Sequence, residues 1–282
     1  MIKRKPTQNQ THGGLLCTLL VVMLILLGGI SVGLYYTYSF CSEIWHEQCR
    51  VSDQEIDVII TTGKMVHPDV VTLQFGLTNG ANLATIPFAD LRLKLLKKVP
   101  NIRDLRIERR LPNHVTVDVI EREPLARIGP SKGNSNDGRV ADSEGVVFQY
   151  NANSTALLPI VREPANASAT QTGEKLTGAT AAALRLIEVA GQPEFAELRV
   201  REIDTSHTDY LYLTLGNYDH SVFAWKDMMS DTKVARESLQ QQLRRLSQAI
   251  NTRLTPSSTV WIANNWESKT ITASNANNRA LK

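Results

Sequence analysis

Apolar positions along the chain change their spacing several times, and each change marks an element. Residues 13–38 form one uncharged run, GGLLCTLLVVMLILLGGISVGLYYTY. At 1.5 Å of rise per residue a helix of that length crosses about 30 Å of hydrocarbon. Further on, Phe88, Leu91, Leu95, Leu96 and Val99 recur at helical spacing, with Pro87 in the first turn and Pro100 just past the end. Leu105 and Ile107 then alternate with Arg106 and Glu108, and Val115, Val117 and Val119 with Thr116 and Asp118, the period of half-buried strands. Leu111, Pro112 and Asn113 supply the reversal between them. A helix and a hairpin cannot cover each other's apolar faces unaided, and more of the unit lies upstream. IDVIITTGK at 56–64 is β-rich, and 67–77 is a weaker helix before the break Thr78, Asn79, Gly80. The order is strand, helix, helix, strand, strand.

Beyond it the polar stretch GPSKGNSNDG at 129–138 reads as a linker. Residues 139–148 predict a hairpin around Ser143, Glu144 and Gly145, and 157–161 a further apolar segment. The polar stretch 162–178 reads as an exposed loop. An Ala-rich helix follows over 179–189, with Ala183, Leu184 and Ile187 inward, then strands over 198–203, 210–215 and 221–225. Leu239, Leu243, Leu246, Ile250 and Leu254 form one stripe, so 234–254 is a surface helix packed on a sheet. Residues 259–263 (TVWIA) and 269–273 (KTITA) are the last strands, and the polar tail from Ser274 onward is expected to be disordered.

The fold class is α+β: a single N-terminal transmembrane helix, a small α/β module and a mixed β-sheet domain with flanking helices. The expected division is a cytoplasmic tail 1–12, the span 13–38, a juxtamembrane linker 39–54, the module 55–128, a β-rich domain 129–274 and a tail 275–282. Lys3, Arg4 and Lys5 before the span keep the N-terminus cytoplasmic and export the bulk of the chain. A cleaved signal peptide has overlapping ingredients, but its apolar core runs to about 7–15 residues, and no Ala-x-Ala site follows here.

Charge and chemistry alter this picture little. The net charge of +3 offers no global reason to bind nucleic acid, and the basic positions Lys94, Lys97, Lys98, Arg103, Arg106, Arg109 and Arg110 lack interleaved aromatics. The 3 cysteines are too few for a disulfide scaffold, and no Cys/His spacing suggests zinc, so neither a metal nor a cofactor is expected. Cys41 and Cys49, just outside the span, are candidates for a short-loop disulfide in an oxidising exterior. No nucleophile elbow, zincin or phosphate-loop motif is present. His207 and His220 with Asp204, Asp209 and Asp219 are the one acid and imidazole grouping, at strand ends where polar turns are expected, so no catalytic residue is assigned. Glu121 and Glu123 share a strand face with Arg122 pointing away, which reads as a solvated strand end.

Several phrases together resemble the POTRA domain of FtsQ/DivIB, a bacterial cell-division membrane protein family. They are Asn82-Leu83, Pro100-Asn101-Ile102, Arg110-Leu111-Pro112 and the exit Glu121-Arg122-Glu123-Pro124-Leu125-Ala126; Asp142, Gly145 and Phe148 also resemble the hairpin opening that family's second domain. The resemblance implies a noncatalytic single-span scaffold of the divisome in the inner membrane at the septum. It would bind FtsB- and FtsL-like partners and the septal cell-wall synthase complex, and no small-molecule substrate. It also implies recognition by strand addition at the closing strands, at positions matching Val260, Trp261, Ile262, Thr270, Ile271 and Thr272. The family's Asp-Leu-Arg near this point is replaced by Ile262-Ala263-Asn264, so side-chain contacts do not carry over. Two other readings stand beside it: a POTRA-bearing envelope translocation or assembly component, and a signal-anchored exported enzyme.

Overall fold

In the computed structural model, residues 11–50, 56–62, 65–76, 81–83, 85–110, 113–130, 137–151, 155–165, 168–216, 219–252, 259–267 and 271–275 are described. The first element, α1 (Thr11–Gln48), contains the segment Leu19–Trp45, whose mean hydropathy of 2.3 makes it apolar enough to cross a membrane. It runs on past the predicted span through 39–48, where the sequence puts a linker. That stretch holds neither Gly nor Pro, and Glu43 and Gln48 favour helix.

After it come β1 (Ile56–Thr62), α2 (Pro68–Gln74), α3 (Phe88–Lys98), β2 (Ile102–Arg110) and β3 (His114–Glu121), in the order that apolar spacing predicts. The strands form a sheet of order β1-β3-β2. Inward positions of β3 alternate without a break, Val115, Val117, Val119 and Glu121 being buried. In α3 only Leu95 is fully buried, and Leu93 is exposed. The expected reversal at Leu111 and Pro112 and the break at 77–80 lie outside the described residues.

The second sheet is built from β4 (Ala126–Gly129), β5 (Arg139–Ala141), β6 (Val147–Gln149), β7 (Ile160–Arg162), β8 (Glu202–Asp204), β9 (Leu211–Thr214), β10 (His220–Phe223), β11 (Thr259–Ala263) and β12 (Thr272–Asn275). Its nine strands run in the order β12-β11-β10-β9-β8-β7-β4-β5-β6. Pairing is parallel for β4/β7, β7/β8 and β10/β11 and antiparallel elsewhere. Two parallel pairs are joined by crossover helices, α4 (Gly178–Ala190) between β7 and β8 and α5 (Lys233–Asn251) between β10 and β11. Both helices contribute to one core: Ala183, Leu186, Leu239, Leu243 and Leu246 share it with Ile203, Leu211, Leu213, Phe223 and Trp261. Each fully buried Leu adds on the order of 1.5–3 kcal/mol of transfer free energy.

Elements further along the chain also differ from the sequence expectation. Ala126–Gly129, assigned up to Ile128 to the first module, belongs to the second sheet, because its backbone pairs with β5 and β7. The strand expected at 198–203 begins at Glu202, since Pro193–Phe195 forms a 3-10 turn and Leu198 N–H donates back to the Phe195 carbonyl (3.0 Å).

Contacts divide the chain into two compact units. One comprises Met1–Asp57, Phe75–Pro87 and Ile107–Thr116. Within it Leu83 N–H donates to the Cys49 carbonyl (2.9 Å) and the Arg109 guanidinium to the Leu83 carbonyl (2.7 Å). The other comprises Val58–Gln74, Phe88–Arg106 and Val117–Lys282, and the nine-stranded sheet lies wholly within it.

Candidate partner-binding edge of the C-terminal sheet

The two ends of the large sheet are finished differently. Beside β6 runs the segment 171–176: Val147 N–H donates to the Glu174 carbonyl (2.9 Å), Gly173 N–H donates to the Val147 carbonyl (2.7 Å), and Val146 bridges to Lys175. At the opposite end β12 pairs with β11 on one side, and no described strand lies beyond it. An edge strand offers a row of backbone donors and acceptors to an incoming chain, and proteins usually blunt it with charge or proline. The β12 sequence, TASN, has neither.

Residues well before it in sequence hold this edge in place. Asp219, at the foot of β10, is fully buried, and its carboxylate accepts from Thr259 N–H (3.0 Å) and from the Trp261 indole N–H (3.3 Å). Ser221 donates to the Trp261 carbonyl (3.2 Å). At the far end of β11, buried Gln242 of α5 donates to the Ala263 carbonyl (2.9 Å) and accepts from Arg245, which also donates to the Trp266 carbonyl (3.1 Å). β11 is thus fixed at both ends and supports β12 through the register Trp261↔Ala273 and Ile262↔Thr272.

The predicted partner-binding positions divide accordingly. Val260, Trp261 and Ile262 lie on β11, which is interior: it pairs with β10 on one side and β12 on the other. Val260 and Trp261 are buried, and Ile262 is 39% exposed on the face away from the helices. Their backbone is therefore committed already. Ile271 precedes β12 and packs against the core, and Thr272 is its first, exposed residue. Thr270 lies outside the described residues. The last strand sits later than the expected 269–273, because Thr272 is the residue opposite Ile262 and Asn275 the residue opposite Thr259. Asp219, Gln242 and Arg245 carry no sequence signal for this role, since a buried polar residue is recognisable only beside its partners.

The other sequence candidates resolve into structural parts. His220 stacks on Tyr212 (ring centroids 5.3 Å apart) and His207 on Tyr210 (4.3 Å), while Asp219 serves β11. Cys41 and Cys49 are free thiols, the first exposed and the second buried. With the helix continuing to Gln48, the eight-residue step from Cys41 to Cys49 amounts to roughly 12 Å of rise, beyond the 4.4–6.8 Å between Cα atoms of a disulfide.

Glu121 departs from the solvated reading. It is 3% exposed, and its carboxylate accepts from Met65 N–H (3.0 Å) and Val66 N–H (2.8 Å) just ahead of α2. Arg122 likewise turns inward: it donates to the Pro100 carbonyl (3.0 Å), to Asp142 (2.5 Å) and to Glu144 (3.1 Å). Asp142 is buried in a turn closed by Gly145 at φ +82°, a left-handed conformation that glycine takes at no steric cost. The hydrogen bond from Arg122, with Arg103 adding to it, holds the Glu144 carboxyl below the usual glutamate range. Glu123 alone of the three is exposed.

Comparison with curated proteins finds no significant match. Residues 57–122 match the family model described as the POTRA domain, FtsQ-type, which spans β1 to β3 and ends on Arg122. The chain therefore carries an FtsQ-type POTRA domain over residues 57–122.

Proposed function

We propose that this division-associated POTRA protein is a noncatalytic scaffold that captures a partner by adding a strand of the partner to the outer side of β12. The observation that carries the reading is the asymmetry of the large sheet, in which β6 is covered by 171–176 while β12 is bare among the described residues. Main-chain pairing gives such docking its affinity, and it tolerates the loss of the family's Asp-Leu-Arg phrase. In this reading the apolar helix α1 anchors the chain, and the N-terminus lies in the cytoplasm with the sheet outside the inner membrane, at the septum. The occupants are FtsB- and FtsL-like division proteins, through which the septal cell-wall synthase complex is held. In domain terms the POTRA unit runs over 55–128 and the β-rich unit over 129–274, with β4 contributed to the latter from the end of the former.

Proline scanning of β12 tests the reading. N–H groups of an edge strand alternate between its neighbour and solvent, so of Thr272 and Ala273 one donates outward. Thr272→Pro and Ala273→Pro are made singly in the full chain, and capture of the FtsB-like partner from solubilised membranes is measured. One variant keeps its unfolding midpoint and loses capture at least tenfold. Undiminished capture by both folded variants would rule the edge out.

A further inference from the structure

The rim of the large sheet at the ends of β10 and β11 and the start of β9 carries a groove of about 630 Å³. Its walls include three aromatic rings, Tyr210, Trp225 and Trp266, and its two charged lining groups are both carboxylates, Asp209 and Asp227. Neither carboxylate takes part in an ion pair among the described residues, whereas Asp104, Asp142, Glu163, Glu194, Glu202 and Asp231 all do. The neighbouring cations are directed elsewhere. Arg185 donates to the Met228 carbonyl, Arg245 donates to the Trp266 carbonyl and Gln242, and Lys226 lines a separate groove across Trp266. Trp266 is 40% exposed and Met229 47%, large apolar surfaces left facing water beside that negative charge.

We propose that this groove receives an arginine- or lysine-bearing segment of the partner, one that flanks the strand added at β12. A guanidinium or ammonium held between carboxylates and over an aromatic face gains both Coulomb and cation–π attraction, and Arg also stacks flat on indole. The source of the segment rests on the strand-addition reading; the chemistry of the groove does not. Continuity along the chain favours this source: Asn264 and Trp266 lie in the connection that leads from β11 to β12, so β12 starts at the same rim. A partner strand on β12 leaves one of its flanks at that rim, four strand positions from β9 and about 19 Å away at 4.8 Å per strand.

The test uses the full chain in detergent, with a hexa-arginine peptide as probe and tryptophan fluorescence as readout. Hexa-arginine gives a saturable change that Trp266→Phe removes, and Asp209→Asn with Asp227→Asn weakens it at least tenfold. The binding fades between 50 and 500 mM salt and persists in whichever of Thr272→Pro and Ala273→Pro stays folded and loses capture, which separates the groove from the edge. Equal response to hexa-glutamate, no effect of the double Asn variant, or saturation by an uncharged chitin disaccharide in place of hexa-arginine would overturn the proposal.

Discussion

Asp219 carries the largest structural load of any single residue at the candidate edge. Its carboxylate satisfies two buried donors, the Thr259 N–H and the Trp261 indole N–H, and so decides where β11 begins. Leaving buried donors unmet costs about 1–3 kcal/mol each. Asp219→Ala is expected to lower the stability of the full chain by about 2–4 kcal/mol, read from denaturant midpoints, and to weaken partner capture with it. A loss below about 0.5 kcal/mol would mean that other groups satisfy those donors. None of this was legible in the sequence, where Asp219 reads as one more polar residue of the turn after Gly216. The same is true of Glu121 and Arg122. Their alternation predicts opposite faces, correctly, but it cannot tell water from the backbone N–H groups of Met65 and Val66 or the carboxylate of Asp142.

At the scale of elements, apolar period was sufficient wherever one face meets a core. The helix over 88–98, the strands β2 and β3, the Ala-rich helix and the long helix with Leu239, Leu243 and Leu246 inward all follow from it. Strand order did not follow. β4 lies between β5 and β7, and β11 is interior because α5 returns the chain parallel to β10, a long-range pairing that no local pattern encodes. Strand addition is therefore expected at both closing strands, although of the two only β12 has an unpaired side among the described residues. Polar alternation was also a poor guide to the last strand, whose start at Thr272 is set by register against Ile262.

At the scale of the whole molecule, the unit holding the large sheet is tied together by an ion-pair cluster, Arg122 and Arg103 with Asp142 and Glu144. Arg122 has a side chain 13% exposed and Asp142 one 5% exposed, so removing one leaves the other buried without its counter-charge. Arg122→Met is expected to cost about 3–5 kcal/mol. Glu144 sits below its ordinary value in the folded chain, held by the Arg122 hydrogen bond, and Asp104 does too, held by the Leu105 N–H and then Arg92. Groups lowered in this way stabilise the fold above their unfolded values, about 3.9–4.3, and that contribution disappears as pH falls through the folded values. Thermal unfolding should hence shift downward below about pH 4, with a shallower dependence in Arg122→Met; a midpoint rising on acidification would contradict the assignment.

The central claim, that the protein works by lending the outer side of β12 to another chain, is tested most directly by amide hydrogen exchange of the full chain with and without the proposed FtsB-like partner. Alternate amides of Thr272–Asn275 gain protection on binding, while those of β11, already paired on both sides, change little. Unchanged exchange throughout β12 in a saturated complex would contradict it.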